Sequence, residues 1–108
     1  VPLSPKEICQ LTGHETTDAV RMAMKRGGAT LGVHVVLDFK SSVKRAYEES
    51  DVWRILGSRI LDQAEKDPKV RDLAWKWLEP EIRRSVVHNR AAMLYPQALA
   101  SQDEGSEN

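Results

Sequence analysis

Residues 7–28, EICQLTGHETTDAVRMAMKRGG, interrupt a helical pattern once and stop it on a glycine pair, and no other stretch constrains the fold as much. Ser4 is placed to cap a first helix. Pro5 takes the first helical position and Glu7 lies three residues after the serine, the spacing of a capping box. Ile8 and Leu11 give that helix one apolar face, and Gly13 is expected to end it. Thr16 or Thr17 can cap a second helix, with Asp18 favourable in its first turn. Ala19, Val20, Ala23 and Met24 then recur at helical spacing. Lys25 and Arg26 suit a last turn, and Gly27 and Gly28 are predicted to close the helix.

The period changes after the glycines. Val33, Val35, Leu37 and Phe39 alternate with His34, Val36 and Asp38, which predicts a strand. A lone strand is unstable, so it needs a partner: residues 29–31, a second strand of a wing, or another subunit. Three further helices are expected. Ser41 or Ser42 starts one running to Glu49, and Ser50 caps another carrying Val52, Trp53, Leu56, Ile60 and Ala64. KDPKVRDLAWKWL is the clearest helix of the chain. Asp67 is its cap, Pro68 its first residue, and Val70, Leu73, Ala74, Trp77 and Leu78 its apolar stripe. Pro80 should break or restart that run. Ile82, Val86, Met93 and Leu94 are predicted to continue the core until Pro96 stops the pattern.

The fold class expected is therefore mainly α. It is one small helical domain, with a headpiece over 1–39, a helical core and assembly region over 40–99, and an acidic tail over 100–108. The chain has 108 residues, enough for a modest core. No apolar run approaches the roughly 18–20 residues that span a bilayer, and no secretory signal is visible, so no membrane partner is expected. A start on Val1 rather than Met raises the expectation that upstream residues have been removed. Cys9 is the only cysteine, which excludes an intramolecular disulfide and a cysteine-based zinc site and points to a reducing, cytoplasmic setting. The net charge of zero hides an asymmetry. The last eight residues, SQDEGSEN, hold three acids and no base, so residues 1–100 set sixteen Lys and Arg against thirteen acids, a net of +3. A tail of that composition is expected to be disordered, and the body is only mildly basic.

Two short helices joined at a glycine form a helix-turn-helix pattern. In such motifs the N-terminal part of the second helix enters the major groove of duplex DNA. His14, Glu15, Thr16, Thr17, Arg21 and Lys25 fall away from the apolar side of that helix. Thr16 and Thr17 suit phosphate through hydroxyls or the N–H groups of the helix start, and Arg21 suits a guanine or a phosphate. Lys25 and Arg26 complete the expected contact set. These residues resemble the opening of MerR/excisionase-type winged helix-turn-helix proteins. Ile8, Cys9 at an alanine position, Leu11, Thr12, Gly13, Ala19, Val20, Arg21 and Gly27 match that pattern over about 22 residues. The resemblance implies a DNA or backbone contact at Arg21 and a wing after the second helix. It also implies a phage or mobile-element role in regulation, recombination or packaging. His14 departs from the aliphatic residue usual after the glycine, and Glu15 and Asp18 put acid where phosphate would lie. A protein–protein adaptor or inhibitor using the same corner is the other reading.

The remaining candidates each carry two readings. Trp75 lies off the Trp77 stripe, so it is either half-covered by neighbouring helices or an interface anchor for a protein partner or a second copy of the chain. Arg83, Arg84, His88 and Arg90 are a second phosphate patch or a solvated face paired with Glu79 and Glu81. His14, His34 and His88 are scattered without ligand spacing, GGATLG lacks the lysine of a phosphate loop, and no acid/base pair stands out. Neither enzymatic activity nor a cofactor is expected.

Overall fold

Helix starts follow from the caps. Ser4 Oγ accepts from the Glu7 N–H at 3.3 Å and the Glu7 carboxylate accepts from the Ser4 N–H at 3.0 Å, so the capping box closes both ways. The computed structural model describes residues 2–32, 38–39, 45–86 and 88–100, with backbone alone at 38, 39 and 45. The first helix, α1, is Pro5–Thr12. Gly13 ends it at φ 76°, a left-handed conformation that costs glycine nothing, and donates its N–H to the Cys9 carbonyl at 2.9 Å. Thr16 Oγ1 accepts from the Ala19 N–H at 3.1 Å and starts α2, Thr17–Thr30.

The end of α2 departs from expectation. Gly27 and Gly28 do not close the helix but lie within it, and the left-handed residue that follows is Gly32, at φ 70°. The reason is packing. A Cβ at position 27 would sit 2.2 Å from the Cγ2 methyl of Ile55, so only glycine lets the helices come this close.

The β element is small. β1, Asp38–Phe39, pairs antiparallel with β2, Arg45–Ala46, Asp38 opposite Ala46 and Phe39 opposite Arg45. The alternation over residues 33–37 lies outside the described residues. The partner is thus not residues 29–31, which belong to α2 and the turn after it. The helix expected from Ser41 or Ser42 is also corrected. Residues 41–44 lie outside the described residues, 45–46 are strand, and Tyr47 exchanges backbone hydrogen bonds of 2.8 and 2.7 Å with Leu3. Burying Leu3, Ala46 and Tyr47 on an extended segment outweighs the helix-forming composition of KRAYEE.

The core is built on two long helices, α3 (Glu49–Lys66) and α4 (Pro68–Arg84). Glu48 rather than Ser50 occupies the cap position of α3. Val52, Leu56, Ile60 and Ala64, at i, i+4 spacing, form its buried stripe. Asp67 accepts from the Lys69 N–H at 2.9 Å and Pro68 opens α4, as the sequence predicts. Pro80 does not break α4. It sits exposed on the outer side, where the carbonyl it leaves without an N–H partner can meet water, while fully buried Leu78 and Ile82 hold the helix to the core.

A short α5, Asn89–Leu94, and a helical turn over 96–100 complete the described chain. Here the core residues are Ala91, Tyr95 and Ala98, whereas Met93 is 82% exposed and Leu94 half-buried. Tyr95 is decisive: its hydroxyl donates to the Arg71 carbonyl at 2.9 Å, and burial pushes its phenol up to about 12. Arg90 reaches back to both Asp62 and Glu65 on α3. Leu3, Ile8, Leu11, Val20 and Met24 share one hydrophobic cluster with residues of α3, α4 and the C-terminal segment. The acidic segment 101–108 lies outside the described residues. No described helix is long and apolar enough to cross a membrane.

Candidate nucleic-acid interface

Val20, Met24 and Gly28 turn one side of α2 into the protein, and Gly27 meets Ile55 beside them. The rest of the helix is left to solvent. Asp18, Met22 and Arg26 are exposed on the far side, Arg21 and Lys25 are exposed along one flank, and Thr16 is exposed at the helix start with Thr17 half-buried beside it. At about 100° per residue, Arg21 and Lys25 share one stripe, whereas Arg26 lies about 140° round from Arg21. The structure therefore brings Thr16, Thr17, Arg21 and Lys25 to one edge and sets Arg26 apart.

Two of these side chains already have local partners. The Thr16 oxygen is used as the helix cap, which leaves its O–H proton for an external acceptor. Arg21 Nη1 donates to Asp18 Oδ1 at 2.7 Å, with the two side chains 45% and 84% exposed. An exposed pair of this kind is worth under about 1 kcal/mol, so the guanidinium can be drawn off by a stronger anion. Burial raises the Tyr47 phenol, with the Arg21 charge opposing that shift.

His14 is not presented outward with the α2 residues. It lies half-buried in the turn, its Nδ1 2.6 Å from Thr12 Oγ1. The Thr12 hydroxyl has one proton and donates it to the Ile8 carbonyl at 2.8 Å, so the imidazole is the donor and carries its proton on Nδ1. Arg59 Nε donates to the Thr12 carbonyl at 2.8 Å, fixing the turn to α3. Burial, and then the Arg59 charge, hold the His14 pKa below the usual 6.5. A histidine kept neutral in the fold stabilises it fully above pH 6.5, and that contribution is lost as pH falls through the lowered value. A ring-proton NMR titration is expected to place the His14 midpoint below 6.5. Arg59→Gln should recover only part of the shift, because burial is the larger cause. A midpoint at or above 6.5 in the unaltered protein would contradict this turn geometry.

The other sequence candidates are used internally. Trp75 is half-buried, stacks on Tyr95 with ring centroids 5.5 Å apart, and has the Arg83 guanidinium 5.1 Å from its ring centre. Arg83 also pairs with Glu79 at 2.9 Å, and Arg90 is held by α3. Arg84 and His88 go elsewhere, to a feature the sequence did not reveal. They rim a cleft of about 360 Å³ between α3 and the end of α4, whose lining also includes Trp53, Arg54, Gly57 and Ser85. Trp53 Nε1–H donates to Ser85 Oγ at 2.6 Å across the two helices. The only sequence signal was the i, i+4 pair of Trp53 and Gly57 within WRILG. Among the described residues no group of three or more His, Cys, Asp and Glu could hold a metal.

Comparison of the chain with protein families, with curated proteins and with solved structures gives no match.

Proposed function

We propose that the chain binds duplex DNA without chemistry, with α1, the 13–16 turn and α2 acting as a helix-turn-helix headpiece and the β1–β2 pair as its wing. The observation that carries this reading is the outward edge of α2. Thr16 is exposed at the helix start and Arg21 and Lys25 along the flank that follows it, on a helix anchored in the core through Val20, Met24 and Gly28. The helix start offers N–H groups and a partial positive charge to a phosphate, and Arg21 lies one turn further along. Arg26, off this edge, would reach a flanking phosphate at most. The outward acids Glu15 and Asp18 favour a second reading, in which the same corner docks on a basic protein partner.

Salt dependence separates the two. Affinity for a mixed-sequence duplex should fall steeply with salt, and Arg21→Ala with Lys25→Ala should reduce the slope of log K against log salt by about 1.8. Both residues are exposed, so the double variant should keep the wild-type melting temperature. Absence of duplex binding at low salt, or an unchanged slope in the double variant, would sink the DNA reading.

A further inference from the structure

We propose that the cleft between α3 and the C-terminal end of α4 binds a small organic anion that joins a flat ring system to a phosphate or carboxylate. The observations are independent of the α2 edge. Ile55, which meets α2, lies about 100° or more round the α3 axis from Arg54, Gly57 and Leu61, which face the cleft.

The cleft has the parts such a ligand needs. Its volume of about 360 Å³ lies within the range of small-molecule sites. Its lining contains Arg54, Arg84 and His88 and no carboxylate. Arg54 has no ion-pair partner among the described residues, and Arg84 meets only Glu81, at 3.2 Å, with its own side chain 72% exposed. Both guanidiniums can therefore turn to an anion, which they grip through paired N–H donors. Trp53 supplies the apolar wall. Its N–H is held by Ser85, so the indole is fixed before any ligand arrives.

Gly57 supports the same reading. A mid-helix glycine is unfavourable relative to alanine, and it is retained at Gly27 because a Cβ would strike Ile55 at 2.2 Å. At Gly57 packing makes no such demand. A Cβ there would meet the Trp53 ring at 3.4 Å, an ordinary contact. What the missing side chain leaves open is the cleft itself, which Gly57 lines.

The test is an NMR titration of the full chain with phenyl phosphate and adenosine 5′-monophosphate, and separately with inorganic phosphate. It follows the Trp53 indole N–H and the His88 ring. At least one of the two ring-bearing probes is expected to shift both signals saturably, at least tenfold more tightly than inorganic phosphate. Arg54→Ala with Arg84→Ala should weaken that probe tenfold or more without changing the melting temperature, since both side chains are exposed. Equal affinity for inorganic phosphate would reduce the cleft to a bare anion site and overturn the proposal. So would an unchanged affinity in the double variant, or the absence of shifts with either ring-bearing probe. Duplex affinity should be the same with and without the tighter probe. Competition between them would show that the two ligands share one surface, against the geometry argued here.

Discussion

Replacing Ile60 with alanine should destabilise the fold by about 2–5 kcal/mol, lowering the melting temperature by about 10 °C or more. Ile60 is fully buried at the middle of α3, the helix against which α1, α2, α4 and α5 all pack. Truncation removes the transfer free energy of three carbons and leaves a cavity that helices held on several sides cannot collapse to fill. Domains of this size have about 5–15 kcal/mol in total, so the variant should populate unfolded molecules at physiological temperature. Ile60→Val, one methylene smaller, should lose only about 0.5–1.5 kcal/mol. Urea unfolding of both variants checks the pair. An alanine variant that loses under 1 kcal/mol would mean that α3 is not the centre of the core.

The second large effect concerns Gly27. In an exposed helix, glycine to alanine gains about 0.8–1 kcal/mol. Here the new Cβ would overlap the Ile55 Cγ2 methyl, on a β-branched side chain with one strongly preferred rotamer in a helix. Ile55 must leave that rotamer or α2 must move off α3, and the net result expected is a loss of about 1–3 kcal/mol. Ile55→Ala removes the methyl in question, so the double variant should recover much of the loss. The measurement is a double-mutant cycle by chemical denaturation, with a favourable coupling of about 1 kcal/mol or more. A stabilised Gly27→Ala protein would refute the close approach. If α2 does shift, the edge bearing Arg21 and Lys25 shifts with it, so under the DNA-binding proposal duplex affinity should weaken in the single variant and return in the double.

Gly27 also shows where sequence reasoning reached its limit. A glycine pair after two basic residues has the local signature of a helix end, and nothing within several residues reveals that Ile55 will arrive against it. Pro80 departs from its local signature for a related reason. The local cost of proline is real, but Leu78 and Ile82 hold α4 to the core from the far side. By contrast, Ser4 with Glu7, Gly13, Thr16 and Asp67 with Pro68 were legible, because caps and the left-handed turn are decided by neighbours in sequence. Of Met93 and Leu94, expected in the core, Leu94 packs against it and Met93 is exposed, whereas Tyr95 is buried because the Arg71 carbonyl satisfies its hydroxyl. Of the α2 edge, the exposed stripe could be read from helical period. The pairing of Arg21 with Asp18 was implicit in their i, i+3 spacing, yet the sequence could not show that the bond is made. The Trp53 cleft was invisible because its two walls are joined by residues 53 and 85, far apart in the chain.

The reciprocal backbone bonds between Leu3 and Tyr47 act as a clasp. They close the chain around α1, α2 and the β pair, so that these elements form a loop tied at its base. The entropy of closing such a loop is offset by burying Leu3 and Tyr47. Leu3 is therefore a structural residue despite standing near the beginning of the chain. Removing it would free one end of α1, leaving α1 and α2 held by side-chain packing and by the hydrogen bond from Arg59 to the Thr12 carbonyl. An affinity handle is thus better placed after the C-terminal helices than a few residues ahead of the clasp.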